Sequence, residues 1–414
     1  MYLSILALVV FFYFFDKVFN LRNLYNPLVF LVIYHFVFFY LGIFYSDIYS
    51  HITIDDSSKN WIKYSFFSIF IGGIISRLLF QNIGLRYQRI PEVKFHISYN
   101  NIHIVLAVIF ILIGIVLTLN FNISNGGIIF FMDEIENSRI KLRKGRGLLT
   151  QLIIYFITYG LLAYFMQRKR KQSVNIIVLI ICCFCVLTLG NRGPVLFLLL
   201  HVFLVYQIVY SRQFSYKKVF LYFSILFVFM VMMGAYRVNH SADFIDLFKF
   251  RLAWRPFVNI QNFQMVLDHF PTKHEFLWGK TYLIDLSILL PGSNPNSGTF
   301  LKELMGLSFD GGSITPSYLG ISYVNFGYAG MILSPIILGF IANSFYEVYL
   351  KTLNLANPHA LILLILVSNN FAAIVVSGIM TVLIQNMVII LLIHFLYVFF
   401  IHIFKTSTFH KPPQ

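Results

Sequence analysis

Arg192 sits in the run Thr188-Leu-Gly-Asn-Arg192-Gly-Pro194, between two apolar stretches that leave almost no connection. A guanidinium fixed at the edge of a hydrocarbon layer is costly, and such a residue is by default a functional one. Its neighbours sharpen that reading. Gly190 and Gly193 permit close approach to the backbone, and Pro194 suits the first turn of the next helix. Free N–H groups and a guanidinium can then converge on one anion. The competing reading is an arginine at a helix hairpin whose long stem lets its charged head reach water.

A second group of cations lies in the stretch from Arg237 to Pro316, the one long segment of the second half too polar to be embedded in lipid. At roughly 80 residues it exceeds an ordinary connection, and loops of that size are functional or disordered. Trp254, Pro256, Trp278 and Pro291 run through it, which favours a folded cap. Arg237, Arg251 and Arg255, with Lys249, open the stretch, and guanidinium forks suit phosphate better than ammonium does. A shorter polar loop, Phe121 to Gly147, carries Arg139, Lys141, Arg143, Lys144 and Arg146. The plainer account of both groups is pairing along helix faces with Asp133, Glu134, Glu136, Asp243 and Asp246. His240 and Asp243 stand one helical turn apart beside Arg237 and are candidates for a general base, or else an ordinary solvated loop start. Gly311-Gly312 and Asn296-Ser-Gly298 read as phosphate-binding turns or simply as turns. His35, His201 and His394 fall inside apolar runs without a carboxylate or second histidine at metal spacing, and read as structural. Cys182, Cys183 and Cys185 share one apolar run and read as small hydrophobes. Neither a metal nor a cofactor is expected.

Composition decides which elements must hold these residues. Of 414 residues, 58% are hydrophobic and 11% charged, whereas soluble domains carry about 25% charged residues. The chain is therefore expected in a bilayer. Its net charge of +15 lies mostly in short loops between apolar runs, which orients a membrane protein and does not suit nucleic acid. Since about 20 apolar residues cross the hydrocarbon as a helix, the sequence predicts an all-α protein of about eleven spans. They run approximately Met1–Phe15, Pro27–Tyr45, Ile62–Phe80, Ile102–Asn120, Leu148–Met166, Val174–Leu189, Pro194–Tyr210, Val219–Tyr236, Tyr318–Tyr346, Ala360–Ser377 and Ile379–Phe404. The Ser377-Gly378 junction also admits a re-entrant pair, and Met1–Phe15 reads as a first span because it lacks the flanks of a cleaved signal peptide. The chain from 1 to 414 reads as one integral membrane domain.

The loops holding Arg168 to Lys171 and Arg212 to Lys218 should be cytoplasmic. Alternation then places the N-terminus, the Asp55-Asp56 loop, residues 121–147 and residues 237–316 outside, and the C-terminus inside. No inner loop has room for a nucleotide-binding domain, and GxxxxGK[ST], HExxH, Asp-x-Asp and GxSxG motifs do not occur. An enzyme whose working loops face outward needs a substrate that arrives activated. A lipid-linked diphosphate satisfies that demand, with boundary arginines meeting its charge.

The segments Phe276-Leu-Trp-Gly-Lys-Thr-Tyr282, Leu289-Leu-Pro291 and Gly311-Gly-Ser-Ile-Thr-Pro-Ser-Tyr-Leu-Gly320, the last leading into Val324-Asn-Phe-Gly-Tyr-Ala-Gly330, resemble the bacterial O-antigen polymerase (Wzy) family. The Gly190-Asn-Arg192-Gly193 turn is similar to a glycine-framed arginine shared by these polymerases and the O-antigen ligases. The resemblance implies a GT-C-like, multi-span glycosyltransferase of the bacterial inner membrane. Such an enzyme moves a growing glycan from undecaprenyl diphosphate to a sugar hydroxyl of the next undecaprenyl-diphosphate-linked repeat unit, on the periplasmic face. Under that implication Arg192, Arg237, Arg251, Arg255 and Arg139 meet the diphosphates, Asp243 or His240 takes the acceptor proton, and no metal or cofactor enters. Membrane lipids, a Wzz-type chain-length regulator and a flippase are the partners it suggests. The alternatives are an O-antigen ligase and a lipid-linked-oligosaccharide transporter; the second is disfavoured because the cations cluster at one boundary and not along a path.

Overall fold

A computed structural model describes residues 26–40, 42–44, 54–82, 101–128, 146–167, 172–190, 192–210, 244–290, 295–308, 313–352 and 358–408, with isolated positions between 221 and 232. Among these residues every regular element is a helix. The first, α1 (Pro27–His35), starts where the Asn26 side chain accepts the Leu28 N–H at 2.9 Å and Pro27 needs no partner for its missing N–H. It passes into a π turn over Phe36–Tyr40. The next five are α2 (Asp56–Asn82), α3 (Asn101–Ser124), α4 (Gly147–Gln167), α5 (Gln172–Thr188) and α6 (Arg192–Tyr210). The polar stretch that follows is helical too, as α7 (Phe244–His269), α8 (Lys280–Ser287) and α9 (Ser297–Leu304). The chain closes with α10 (Ser317–Thr352), α11 (Pro358–Ser377), the short α12 (Ile379–Val382), a π turn and α13 (Val388–Thr408).

Seven of the described helices are long and apolar enough to cross a membrane, and Val174–Thr188 and Gly193–Val205 are shorter apolar helices. They correspond to the expected spans that fall within the described residues. The expected Met1–Phe15 span lies outside them, and Val219–Tyr236 is represented only by isolated helical positions such as Leu221 and Ile225. The pair around Ser377-Gly378 is two separate span-length helices, turned at Gly378 with φ 91°.

The core is built around α11, which is apolar nearly all round and buried along nearly its whole length, as expected for a helix surrounded by others. It packs on α1, α10, α4 and α13. One crossing, α2 on α10, is tighter than ordinary side chains allow. A methyl at Gly72 of α2 would overlap the Ile336 carbonyl of α10, and one at Gly339 of α10 would overlap the Ile69 carbonyl of α2. Small residues that let helix backbones touch are the usual device for packing in lipid, where burial of apolar surface drives nothing between helices. The outward faces of α2, α3 and α13 expose Leu78, Leu112, Val116, Leu392 and Phe395, a surface fit for acyl chains.

Polar contacts group the helix termini into two ends. At one end Asn122 of α3 donates to Thr188 of α5 at 3.0 Å, Arg146 before α4 reaches Ser124, and Ser58 near the start of α2 donates to Gln264 of α7 at 2.6 Å. Tyr155, about two turns into α4, donates to Asn370, about two turns short of the end of α11. Tyr397, about five turns beyond Gly378, meets His103 at the start of α3, which places the Gly378 turn with the end of α3 and the start of α4. The start of α6 follows the end of α5 there. At the opposite end Tyr349 of α10 donates to the Ala360 carbonyl of α11 at 2.7 Å.

Candidate functional site

One long and two short helices of the polar stretch close one end of the bundle, and each is seated by identifiable residues. α7 crosses the continuation of α1: a Cβ at Gly42 would lie 2.8 Å from the Pro256 carbonyl, so glycine is what lets the backbones meet. Pro256 withdraws one N–H from the α7 ladder. The second half of α7 buries Ile260, Phe263 and Val266. Phe263 meets Phe39 edge-on, and Phe39 meets Tyr318 likewise, at centroid distances of 6.1 and 6.4 Å. His35 completes this knot, its Nδ1 3.1 Å from the Tyr318 hydroxyl and its Nε2 3.4 Å from Ser65. His394 is likewise 2.8 Å from the Tyr159 hydroxyl. Both sit in structural contacts, whereas neither ring nitrogen of buried His201 has a hydrogen-bond partner among the described residues.

The turn after α7 docks onto a break in α10. Gly327, at φ 60° and ψ −147°, interrupts that helix, and the Phe276 ring lies over it, 3.0 Å from where a Cβ would stand. The backbone of the turn then pairs with the exposed carbonyls: Leu277 N–H donates to Val324 at 2.9 Å and Trp278 N–H to Asn325 at 3.1 Å. Asn325 is fully buried and makes the joint specific. Its Oδ1 accepts the Gly279 N–H at 3.0 Å, while its Nδ2 donates to the Thr281 hydroxyl and to the Ile321 carbonyl. Tyr323 adds a bond to the Phe270 carbonyl at 2.8 Å. Thus Phe276–Tyr282 and Val324–Gly330, far apart in sequence, form one hydrogen-bonded unit.

A second polar centre joins α8, α9 and α12. Asp285 of α8 is 1% exposed, and its carboxylate accepts the Ser297 N–H at 2.8 Å, the Ser297 hydroxyl at 3.1 Å and the Thr381 hydroxyl at 2.9 Å. Three donors offset the cost of burying that polar group. Asn296 caps α9 by accepting the Thr299 N–H at 2.8 Å, and a Cβ at Gly298 would run into the Ile314 carbonyl. Asn296-Ser-Gly298 is therefore a packed helix cap and not an open phosphate turn. Tyr282 lies 3.3 Å from the Ser322 hydroxyl, and burial pushes its own hydroxyl above the ordinary tyrosine value. It stays protonated at neutral pH and serves as a hydrogen-bonding group, not as a base. Among the described residues no group of three His, Cys, Asp or Glu side chains could hold a metal ion.

Of the residues singled out by type and spacing, Arg192 is the first residue of α6, and Arg251 and Arg255 stand one turn apart on α7. The side chains of these three lie outside the described residues. Arg139, Arg237, His240, Asp243, Gly311 and Gly312 lie outside them entirely. Asn325 of the joint and Asp285 of the second polar centre belong to no catalytic grouping legible in the sequence. The available signals are a lone carboxylate inside the apolar run Tyr282 to Leu290 and a lone amide inside Ile321 to Phe326.

A family model described as "Putative O-antigen polymerase" matches residues 2–356. No curated protein and no solved structure gives a significant match. The match runs from before α1 to past the end of α10 and so takes in the arginine turn, the three cap helices and both halves of the Asn325 joint. The chain belongs to the O-antigen polymerase family.

Proposed function

We propose that this protein is a glycosyltransferase that joins undecaprenyl-diphosphate-linked oligosaccharide repeat units at the bundle end capped by α7, α8 and α9, and that this end faces the periplasm. The observation that carries the reading is the family match over residues 2–356, which spans every element named above from Arg192 to the Asn325 joint. Support for the location comes from α6 opening with Arg192 at the end where the polar stretch folds as a cap.

In the reaction a hydroxyl oxygen of the acceptor repeat unit attacks the sugar carbon bonded to the donor diphosphate. The new glycosidic bond forms as the sugar-phosphate bond breaks, the growing glycan passes to the acceptor, and undecaprenyl diphosphate leaves with the bonding pair. Asp243 or His240 takes the hydroxyl proton. Negative charge grows on the departing diphosphate, and Arg192, with Arg237, Arg251, Arg255 and Arg139, neutralises it and anchors the acceptor's diphosphate. Because the substrate arrives activated, no nucleotide is consumed.

Purified protein in liposomes with a synthetic lipid-linked repeat unit tests this. Wild type should build a ladder of polymers. Arg192→Ala should insert normally and lose about 3 to 4 kcal/mol of transition-state stabilisation, roughly a hundred- to thousand-fold in rate. Arg192→Lys should recover little, because an ammonium cannot copy the fork. Ladders from the Ala variant at near wild-type rate would remove Arg192 from the site, and transfer only to a lipid A-core acceptor would make the protein a ligase.

A further inference from the structure

The helix α8 is inside out for a segment surrounded by water. It buries Thr281 and Asp285 and exposes Leu283, at 68%, and Leu286, with Leu289 exposed in the turn beyond. Trp278, just before it, exposes 77% of its surface although its backbone stands at φ 47°, a conformation uncommon for a residue with a side chain. The Asn325 joint holds that conformation, so the indole is turned outward by structure and not by slack. Backbone strain maintained by surrounding bonds points to a use for the side chain it aims.

What surrounds this face follows from its neighbour. Phe326 lies beside α8, its ring 6.2 Å from Tyr282 and 3.8 Å from where a Cβ at Gly279 would stand. Phe326 is exposed just before the Gly327 break, and beyond the break α10 exposes Leu333, Ile337 and Ile341 down the length of a membrane span. The apolar face of α8 therefore extends a lipid-facing surface. Lys280, exposed at the head of α8 with its Nζ 5.3 Å from the Phe300 ring, supplies the flanking cation typical of helices that lie in an interface.

We propose that Trp278 and α8 form an in-plane interfacial anchor, with Leu283, Leu286 and Leu289 among lipid acyl chains, so that the cap is seated in the bilayer and not suspended above it. The partner is the lipid surface at that end of the bundle. The inference depends on the chain crossing a membrane and not on the transfer reaction proposed above. Seated this way, the Asn325 joint lies at the depth where the diphosphate of a lipid-linked substrate meets the hydrocarbon, and α8 fixes that depth.

Full-length protein carrying Trp61→Phe and Trp254→Phe leaves Trp278 as the sole tryptophan. Reconstituted into phosphatidylcholine brominated near the headgroup end of its chains, it should lose at least about half of its emission, consistent with burial roughly 5 to 10 Å into the boundary. Iodide in the water should quench little. If the double variant misfolds, the same signal is read as the difference between wild type and Trp278→Phe. Strong iodide quenching with brominated lipid without effect overturns the proposal. So does protection of Trp278 by a soluble oligosaccharide in the absence of any lipid quenching, which would make the face a glycan platform.

Discussion

At the residue scale the cap depends on a few polar side chains that are fully used. Asn325 spends its amide on three partners from two chain segments, and each would be stranded in a buried place if the amide were lost. A buried group left without its partner costs about 1 to 3 kcal/mol. Asn325→Leu should therefore destabilise the protein in detergent by more than Thr281→Val, which removes one bond, and should expose the Phe276–Gly279 turn to protease. Equal unfolding midpoints for Asn325→Leu and wild type would mean the joint is held by packing of Phe276 on Gly327 alone. Asp285 is the companion case. Its carboxylate ties α8 to α9 and to the turn between two spans, so Asp285→Ala should loosen α9 and α12 together, read as faster hydrogen exchange in both.

At the element scale the strongest constraint is the pair α2 and α10. With Gly72 and Gly339 each facing the other helix's carbonyls, the two backbones are closer than any side chain permits. Overpacking a tight contact costs about 1 to 3 kcal/mol, and more where backbone and not a side-chain tip must move. Gly339→Val should lower the yield of folded, membrane-extracted protein, and Gly147→Val, at an open position on another helix, should not. Loss in both would point to a general intolerance of valine rather than to this crossing.

At the scale of the whole molecule the arrangement of ends predicts topology. Alkaline phosphatase fused after Lys280 or Gly145 should be active, and fusions after Arg170 or Lys218 should not. Lys280 belongs to the capped end, Gly145 precedes Arg146, which reaches Ser124 at that end, and the second pair lies in loops whose cations favour the cytoplasm. Reversed activities at Lys280 and Arg170 would turn the molecule over and remove the periplasmic site.

How much of this was legible in the sequence divides along a physical line. Span positions, the all-helical class and the family follow from runs of about 20 apolar residues and from local motifs, because a helix in lipid satisfies its own backbone and needs no distant partner. Of the breaks that position the cap, the Ser377-Gly378 junction and a turn at Asn296-Ser-Gly298 were visible in the sequence, each a local preference, whereas the break at Gly327 falls inside the single span expected over Tyr318–Tyr346. Tertiary structure alone decided the rest. That Phe276–Tyr282 bonds to Val324–Gly330, that Asp285 meets Thr381 almost a hundred residues later, and that α8 turns its leucines outward are contacts between segments whose separation carries no periodic signal. Nothing local in Lys280–Ser287 tells which face of the helix is buried; its neighbours make it the one with the threonine and the aspartate.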